Sequence, residues 1–152
     1  MADALLFTIE ARRYAVPLRQ VAEVVPAVSV HALPHAPAIV EGVVNVRGEI
    51  LPVLSLRSRM GHPIRAVLPS EYFILVTAQA RRVILRSDTV PELAVLPSMT
   101  GGDAGGDAVD RAIAGVLPLA EGIALFHDID QFMAADDRAA IDAALAGADS
   151  AS

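Results

Sequence analysis

Histidines and acidic residues are the side chains of this sequence that could bind a metal or transfer a proton, and it has 4 histidines. His31 and His35 have the i, i+4 spacing of a metal-binding pair on a helix, but Pro34 and Pro37 exclude a helix there. The run from His127 to Asp130 is explained more simply as a strand that ends in a polar turn. We therefore predict no metal site and no catalytic histidine.

Other chemical motifs are also missing from the sequence. It contains no cysteine, which excludes a disulfide framework, a thiolate zinc site and a cysteine nucleophile. It has no phosphate-binding glycine loop and no G-x-S-x-G motif. The glycine- and aspartate-rich stretch at 98–110 is a single copy, without the tandem array of calcium-binding repeats, and we predict a flexible loop. We expect neither an enzyme nor a bound cofactor.

One short motif could position an arginine. Asn45-Val46-Arg47-Gly48 lies between two apolar runs, and Gly48 can supply the positive φ that closes a hairpin. An arginine at such a tip is either merely solvated or positioned to bind a partner. In the second case its planar guanidinium can donate hydrogen bonds to a carboxylate or a carbonyl of that partner. Glu23 has the same two interpretations, surface charge or partner contact. The residues alone leave both open.

The elements that position these residues are mostly strands. Valine and isoleucine together outnumber leucine by 28 to 16, which favours β-structure. Apolar runs separated by proline, glycine and charge predict about eight to ten short strands, typical of small barrels or a sandwich. The predicted strand segments are Leu5–Ile9, Tyr14–Val16, a hairpin within Val40–Leu56, Tyr72–Ala78, Arg82–Leu85, Val90–Leu96, Ile113–Leu119 and Ile123–Phe126.

Two segments have helical spacing instead. Leu18, Val21 and Val25 recur at intervals of three and four, which predicts a short helix or 3₁₀ turn with Glu23 on its polar side. Near the C-terminus a second helix is expected, with an apolar face formed by Ile141, Ala144, Leu145 and Ala148.

Charge limits the class of partner. The formal net charge is −6; residues 1–102 hold 10 arginines against 8 acids, and residues 103–152 hold 2 against 10. An acidic chain without a basic cluster is unsuited to nucleic acid or an anionic membrane surface. No apolar run approaches the length of a membrane span, and Asp3 stands where a signal peptide would carry positive charge. We expect a soluble cytoplasmic domain with no direct membrane insertion.

Longer stretches of the sequence resemble the CheW family, the coupling proteins of bacterial chemosensory systems. The resemblance is collinear over residues 5–146. It is carried by Tyr14–Leu18, Val21–Val25, Leu33–Pro37, Val40–Gly48, Ile50–Leu56, Ser87–Val90, Ile113–Gly115 and Ile123–Ile129.

The resemblance implies an all-β fold of two small five-stranded β-barrels with a short internal helix and a C-terminal helix. Residues 5–146 would form one domain made of two barrel subdomains, followed by a disordered tail at 147–152. It also implies an adaptor without catalysis, which is recruited to membrane-associated arrays. There it would bridge methyl-accepting chemoreceptor tips to the regulatory domain of the histidine kinase CheA.

Arg47, Glu23, Val21 and Gly42 match family positions that are implicated in partner binding. Asn45 and Gly48 match the family's turn that holds the arginine in place. The sequence departs from the family where Arg86 ends a run that the family usually continues as an apolar strand. The alternatives are a competitor that binds the kinase without activating it, an adaptor of another pathway such as surface motility, and a β-barrel protein that binds a small ligand.

Overall fold

A computed structural model describes residues 2–59, 61–78, 81–96, 113–119, 122–127 and 140–146. Within these residues, ten strands form two five-stranded sheets. The predicted mostly-β fold with two five-stranded units is thereby confirmed. The predicted loop at 98–110 and the predicted tail at 147–152 lie outside the described residues.

The first sheet combines strands from both ends of the chain, in the order β8-β1-β2-β10-β9. β1 pairs antiparallel with β2 and β8, and β10 runs parallel to β2 and antiparallel to β9. Formation of this sheet therefore needs strands from both ends of the chain. Its strands are β1 (Ala2–Ile9), β2 (Arg12–Pro17), β8 (Glu92–Leu96), β9 (Ile113–Leu119) and β10 (Gly122–His127).

The second sheet is formed by the middle of the chain, in the order β3-β6-β7-β5-β4. Its edge strands are joined in part, because His31, shortly after β3, forms an isolated antiparallel bridge with Val43 of β4. The sheet therefore curves back on itself. Its strands are β3 (Val21–Pro26), β4 (Val40–Val46), β5 (Glu49–Leu54), β6 (Tyr72–Ala78) and β7 (Arg81–Ser87).

The segment with Leu18, Val21 and Val25 is predicted as a short helix or 3₁₀ turn; the 3₁₀ turn is confirmed at its start, and a longer helix is wrong. A 3₁₀ helix, η1, covers Leu18–Gln20, and the chain then extends as β3 and pairs antiparallel with β6. The β-branched valines of this segment fit a strand better than a helix, and the ladder to β6 supplies backbone hydrogen bonds that a two-turn helix lacks. The internal α-helix is instead α1 (Leu56–Arg59).

The second sheet is buried on both faces, so its central strands are almost uninterrupted apolar runs. In β6, Phe73 and Leu75 pack into the interior of the curved sheet, while Ile74 and Val76 face the first sheet. The inter-sheet core also receives side chains from β1 and β2, which joins the two sheets. These are Leu5, Phe7, Ile9, Tyr14 and Val16.

Residues 140–146 form a C-terminal helix, α2. Ile141 and Ala144 are buried in the inter-sheet core, and Leu145 packs against it. Asp142 pairs with Arg81 at the start of β7. The predicted apolar face is thus confirmed for these three residues, and Ala148 lies outside the described part. None of the described helices has the length and apolarity to span a membrane.

Candidate functional site

The predicted hairpin is formed by β4 and β5, and its tip is a two-residue turn of Arg47 and Gly48. Val46 pairs with Glu49, and the φ angles of Arg47 and Gly48 are +50° and +89°. Two positive φ values define the type I′ geometry that matches the twist of a hairpin. The Asn45 side-chain oxygen accepts a hydrogen bond from the Gly48 amide at 2.7 Å. Asn45 and Gly48 therefore shape the turn that carries Arg47, and their part in partner binding stays a prediction.

Arg47 binds Glu23, which lies on β3 at the other edge of the same sheet. Arg47 Nη1 donates to Glu23 Oε2 at 2.8 Å, and Nη2 donates to Oε1, so the pair is bidentate. The hydrogen bond from Arg47 lowers the pKa of Glu23 below its usual value. The Arg47 side chain remains 66% exposed and that of Glu23 33% exposed. The structure thus brings two of the predicted site residues together at the surface.

A second ion pair extends this charged surface. Arg82 of β7 donates from Nη1 to Glu49 Oε1 at 2.9 Å, and its positive charge also contributes to the lowered pKa of Glu23. Arginines and glutamates thus alternate across this end of the second sheet. Such a surface favours a partner with complementary charges rather than a ligand of a single sign.

β3 exposes an apolar stripe on the face that points away from Glu23, because successive side chains of a strand point to opposite faces. Residues of this strand alternate between half-buried and exposed, and every exposed position is apolar. Val24 is 38% exposed, and Val28, just beyond the strand, is 51% exposed. Exposed apolar side chains along one face of an edge strand are typical of a protein–protein contact. We call Ala22, Val24, Pro26 and Val28 the β3 stripe.

The other two predicted partner residues lie deeper in the protein. Gly42 is buried in β4, where a Cβ atom would overlap the backbone of His31 and lie 2.6 Å from Cγ1 of Val30. Val21, the first residue of β3, is half-buried and packs against the inter-sheet core. Gly42 permits the close approach of two backbones, and a direct role of either residue in binding stays a prediction.

Sequence reasoning missed a buried arginine in β7. Arg86, whose side chain is 4% exposed, binds the fully buried Glu71 through Nε at 2.9 Å and Nη2 at 3.1 Å. Its Nη1 donates to Glu41 Oε1 at 2.5 Å and to the carbonyl of Arg65 at 3.1 Å. The signal was the arginine that interrupts an apolar strand, because such a residue is buried only when it is paired.

The same network continues to the first sheet. Arg57, which is 2% exposed, pairs with Glu10 of the β1–β2 turn and with Asp88 after β7. Burial alone would raise the pKa of Asp88, but hydrogen bonds from the Glu10 amide and Arg57 lower it. Arg65 connects both parts, since it binds Glu71 at 2.9 Å and Asp88 at 3.1 Å. The network therefore links the two sheets.

Within the described residues, no group of three histidines, cysteines or acids could hold a metal ion. What the surface offers is an exposed, bidentate ion pair at a tight turn and, on the other face of β3, a row of exposed apolar side chains. These features favour reversible binding of another protein.

Three comparisons with known proteins agree on one family. The family model described as a CheW-like domain matches residues 3–137. The chain is 30% identical over 83 residues to the probable chemotaxis protein CheW of Rhizobium etli, covering 55% of this chain and 52% of the relative. It is 30% identical over 93 residues to the chemotaxis protein CheW of Rhizobium meliloti, covering 60% and 59%. The matched segments thus span a little over half of these relatives.

Among solved structures, the chain resembles the scaffolding protein TtCheW from Thermoanaerobacter tengcongensis. The TM-score is 0.76, the sequence identity is 21%, and the match covers 90% of both chains. At this identity the likeness establishes the fold.

Proposed function

This chain belongs to the CheW-like domain family, whose model matches residues 3–137, and from that premise we propose that it is a non-catalytic adaptor. In this proposal it couples methyl-accepting chemoreceptors to the histidine kinase CheA. The observation that carries the proposal is the exposed Arg47–Glu23 pair at the β4–β5 turn. The β3 stripe adds apolar area on the opposite face of the same strand, so the chain offers a charged and an apolar surface for binding other proteins.

The exposure of the pair suits it to exchange partners. An ion pair at the surface contributes little to stability, about 0–1 kcal/mol, because water and salt screen it. Arg47 and Glu23 can therefore leave each other for charged groups of a partner without unfolding the hairpin. Burying the β3 stripe against a partner would add hydrophobic stabilisation to the affinity.

The proposed partners are the regulatory domain of CheA and the helical-hairpin tips of chemoreceptors. A helical hairpin can present an amphipathic face, and apolar positions at i, i+3 and i+4 would fit a stripe of small and β-branched residues. The proposal places the chain in the cytoplasm, where receptor arrays recruit it without membrane insertion. Its net charge of −6, with no lysine, gives it no basic surface for nucleic acid.

A charge reversal at Arg47 tests the proposal. Arg47→Glu should leave the melting temperature nearly unchanged and should weaken binding to a CheA regulatory domain or a receptor tip at least tenfold, about 1.4 kcal/mol, in a calorimetric titration. Arg12→Glu, at an exposed arginine in β2, is the matched control and should bind like the wild type. Wild-type affinity of the Arg47→Glu variant for both partners would refute the proposed site.

A charge swap separates partner contact from internal support. In the double variant Glu23→Arg, Arg47→Glu, the ion pair can form again with its charges exchanged. If Arg47 contacts the partner, binding stays weak, whereas full recovery would show that the pair only supports the fold. A reconstituted phosphorylation assay then tests coupling, since an adaptor raises receptor-controlled CheA autophosphorylation. A lowered activity would show a competitor instead.

A further inference from the structure

Strand β4 contains one extra residue near its start, before the five paired residues that lead to the hairpin tip. Val40 pairs with Leu54 and Gly42 pairs with the adjacent Val53, so the register shifts at Glu41. An extra residue of this kind, a β-bulge, bends the strand and redirects a side chain. The course of β4 toward Arg47 therefore depends on how the chain is held at Glu41.

Arg86 is the group that holds it. The Glu41 carboxylate accepts a hydrogen bond from Arg86 Nη1 at 2.5 Å. Arg86 itself is fixed independently, by two hydrogen bonds to Glu71 and by the carbonyls of Arg65 and Ala66. Because Arg86 is immobile without Glu41, it can serve as an anchor for the bulge.

The number of charges in the network indicates that Glu41 is not needed to neutralise the positive charge of an arginine. The network contains the carboxylates of Glu10, Glu41, Glu71 and Asp88 but only the guanidinium groups of Arg57, Arg65 and Arg86. Glu71 already pairs with Arg86, so Glu41 adds a negative charge that the network does not need. Burial raises the pKa of Glu41, although Arg86 opposes this. A charge buried at a cost is best explained by the geometry that it specifies.

The bulge also connects the two strands that carry the ion pair. Immediately after Glu41, Gly42 packs on the backbone of His31, and Val43 exchanges two hydrogen bonds with His31, at 2.7 and 2.8 Å. The segment containing His31 continues from β3, which carries Glu23. The bulge therefore lies where β4 is joined to the β3 segment, and β4 continues from it to Arg47.

We propose that Glu41 and Arg86 are positioning residues, which anchor the β4 bulge so that the hairpin tip holds Arg47 in place to pair with Glu23 or with a partner. The inference rests on the proposed function only in taking the hairpin tip as a partner-binding surface. It gives Arg86, which directly follows the apolar run Val83–Leu85 in β7, a specific task in this chain. It also gives Gly42 a task, because the anchored bulge needs a residue without a side chain beside His31.

Hydrogen exchange in the free protein tests the anchor without any partner. In Glu41→Ala, the Val43 and Gly48 amides should exchange about tenfold faster, while the core amide of Leu75 stays as slow as in the wild type. Glu41→Gln keeps the hydrogen bond and should restore the wild-type rates. Glu92→Ala, which removes a glutamate paired with Arg13 in the first sheet, is the matched control. Unchanged Val43 and Gly48 exchange in Glu41→Ala would overturn the proposal.

Binding provides the second readout. Glu41→Ala should weaken binding to the CheA regulatory domain about fivefold when Arg47 is present and not at all in an Arg47→Ala background. An equal loss in both backgrounds would overturn the positioning role. Should Glu41→Ala fail to fold, Glu41→Asp, which shortens the side chain by one carbon, takes its place in both experiments. If Arg47 variants bind normally while hydrogen exchange responds to Glu41, the proposed partner site fails and the anchor stands.

Discussion

Replacing Arg86 by methionine is the perturbation with the largest expected effect on stability. The substitution removes a guanidinium that donates to Glu71, Glu41 and two backbone carbonyls. Methionine is of similar length and fills much of the space, so the lost packing is small. The main consequence is that two carboxylates lose their buried cation.

The magnitude follows from the burial of those carboxylates. The side chain of Glu71 is 0% exposed and that of Glu41 is 13% exposed, so water cannot replace the arginine. Removing one member of a buried ion pair costs about 3–5 kcal/mol, although Arg65 remains 2.9 Å from Glu71 and offsets part of its charge. This is a large part of the roughly 5–15 kcal/mol that stabilises a domain. We therefore expect Arg86→Met to be folded only marginally at neutral pH.

Urea denaturation followed by circular dichroism measures this loss. The midpoint of Arg86→Met should fall by about 1.5–2.5 M relative to the wild type. Without Arg86 the folded-state pKa values of both carboxyls rise, so the lost stability is greatest at pH 7 and shrinks as pH falls toward 4. The triple variant Glu41→Gln, Glu71→Gln, Arg86→Met removes the stranded charges and should recover more than half of the loss. A loss below about 1 kcal/mol in Arg86→Met would refute this reasoning.

Three further substitutions test individual features. Ala11→Gly, at a φ of +66°, should raise the melting temperature by about 2–4 °C, because glycine adopts this conformation without strain; no gain in a thermal melt would contradict this. Gly42→Ala should lower the unfolding free energy by about 1–3 kcal/mol in urea, since its Cβ would overlap the His31 backbone, and a neutral result would mean that the strands can separate. Burial raises the pKa of Glu41 above its ordinary value of 4.5, so ionisation of Glu41 lowers the free energy of unfolding as the pH rises through this range. Glu41→Gln should accordingly be more stable than the wild type at pH 7 and equal to it near pH 3, and a pH-independent difference in urea midpoint would argue against this.

The sequence predicted what depends on local patterns. The β4–β5 hairpin was predicted because Asn45 and Gly48 determine its turn within a few residues of chain. The strand at Val21–Pro26 was mistaken for a helix because its valines also fit a spacing of three and four. Pairing with β6, about 50 residues away, decides its conformation. Local spacing carries no information on such a partner.

The buried network was beyond sequence reasoning for a related reason. Its members come from the β1–β2 turn, β4, α1, the segment before β6, β7 and the residue after it, and among its pairs only Arg65–Glu71 lies within a short stretch of chain. Arg86 departs from the family pattern at the end of the apolar run Val83–Leu85, but that departure alone does not identify an acidic partner. The Arg47–Glu23 pair was similarly invisible, although both residues were singled out separately.

The second sheet contains two classes of ion pair, one buried and one exposed, and they have different roles. Arg86 is buried with Glu71 and Glu41, and breaking such a pair costs so much that its geometry is effectively fixed. Arg47 is two-thirds exposed with Glu23, and breaking that pair costs so little that it can exchange for a partner's charges. An adaptor needs both properties, since a binding group must be free to change partner while the turn that carries it stays in place. The β4 bulge lies between the two pairs, and through it a buried arginine can set the position of an exposed one.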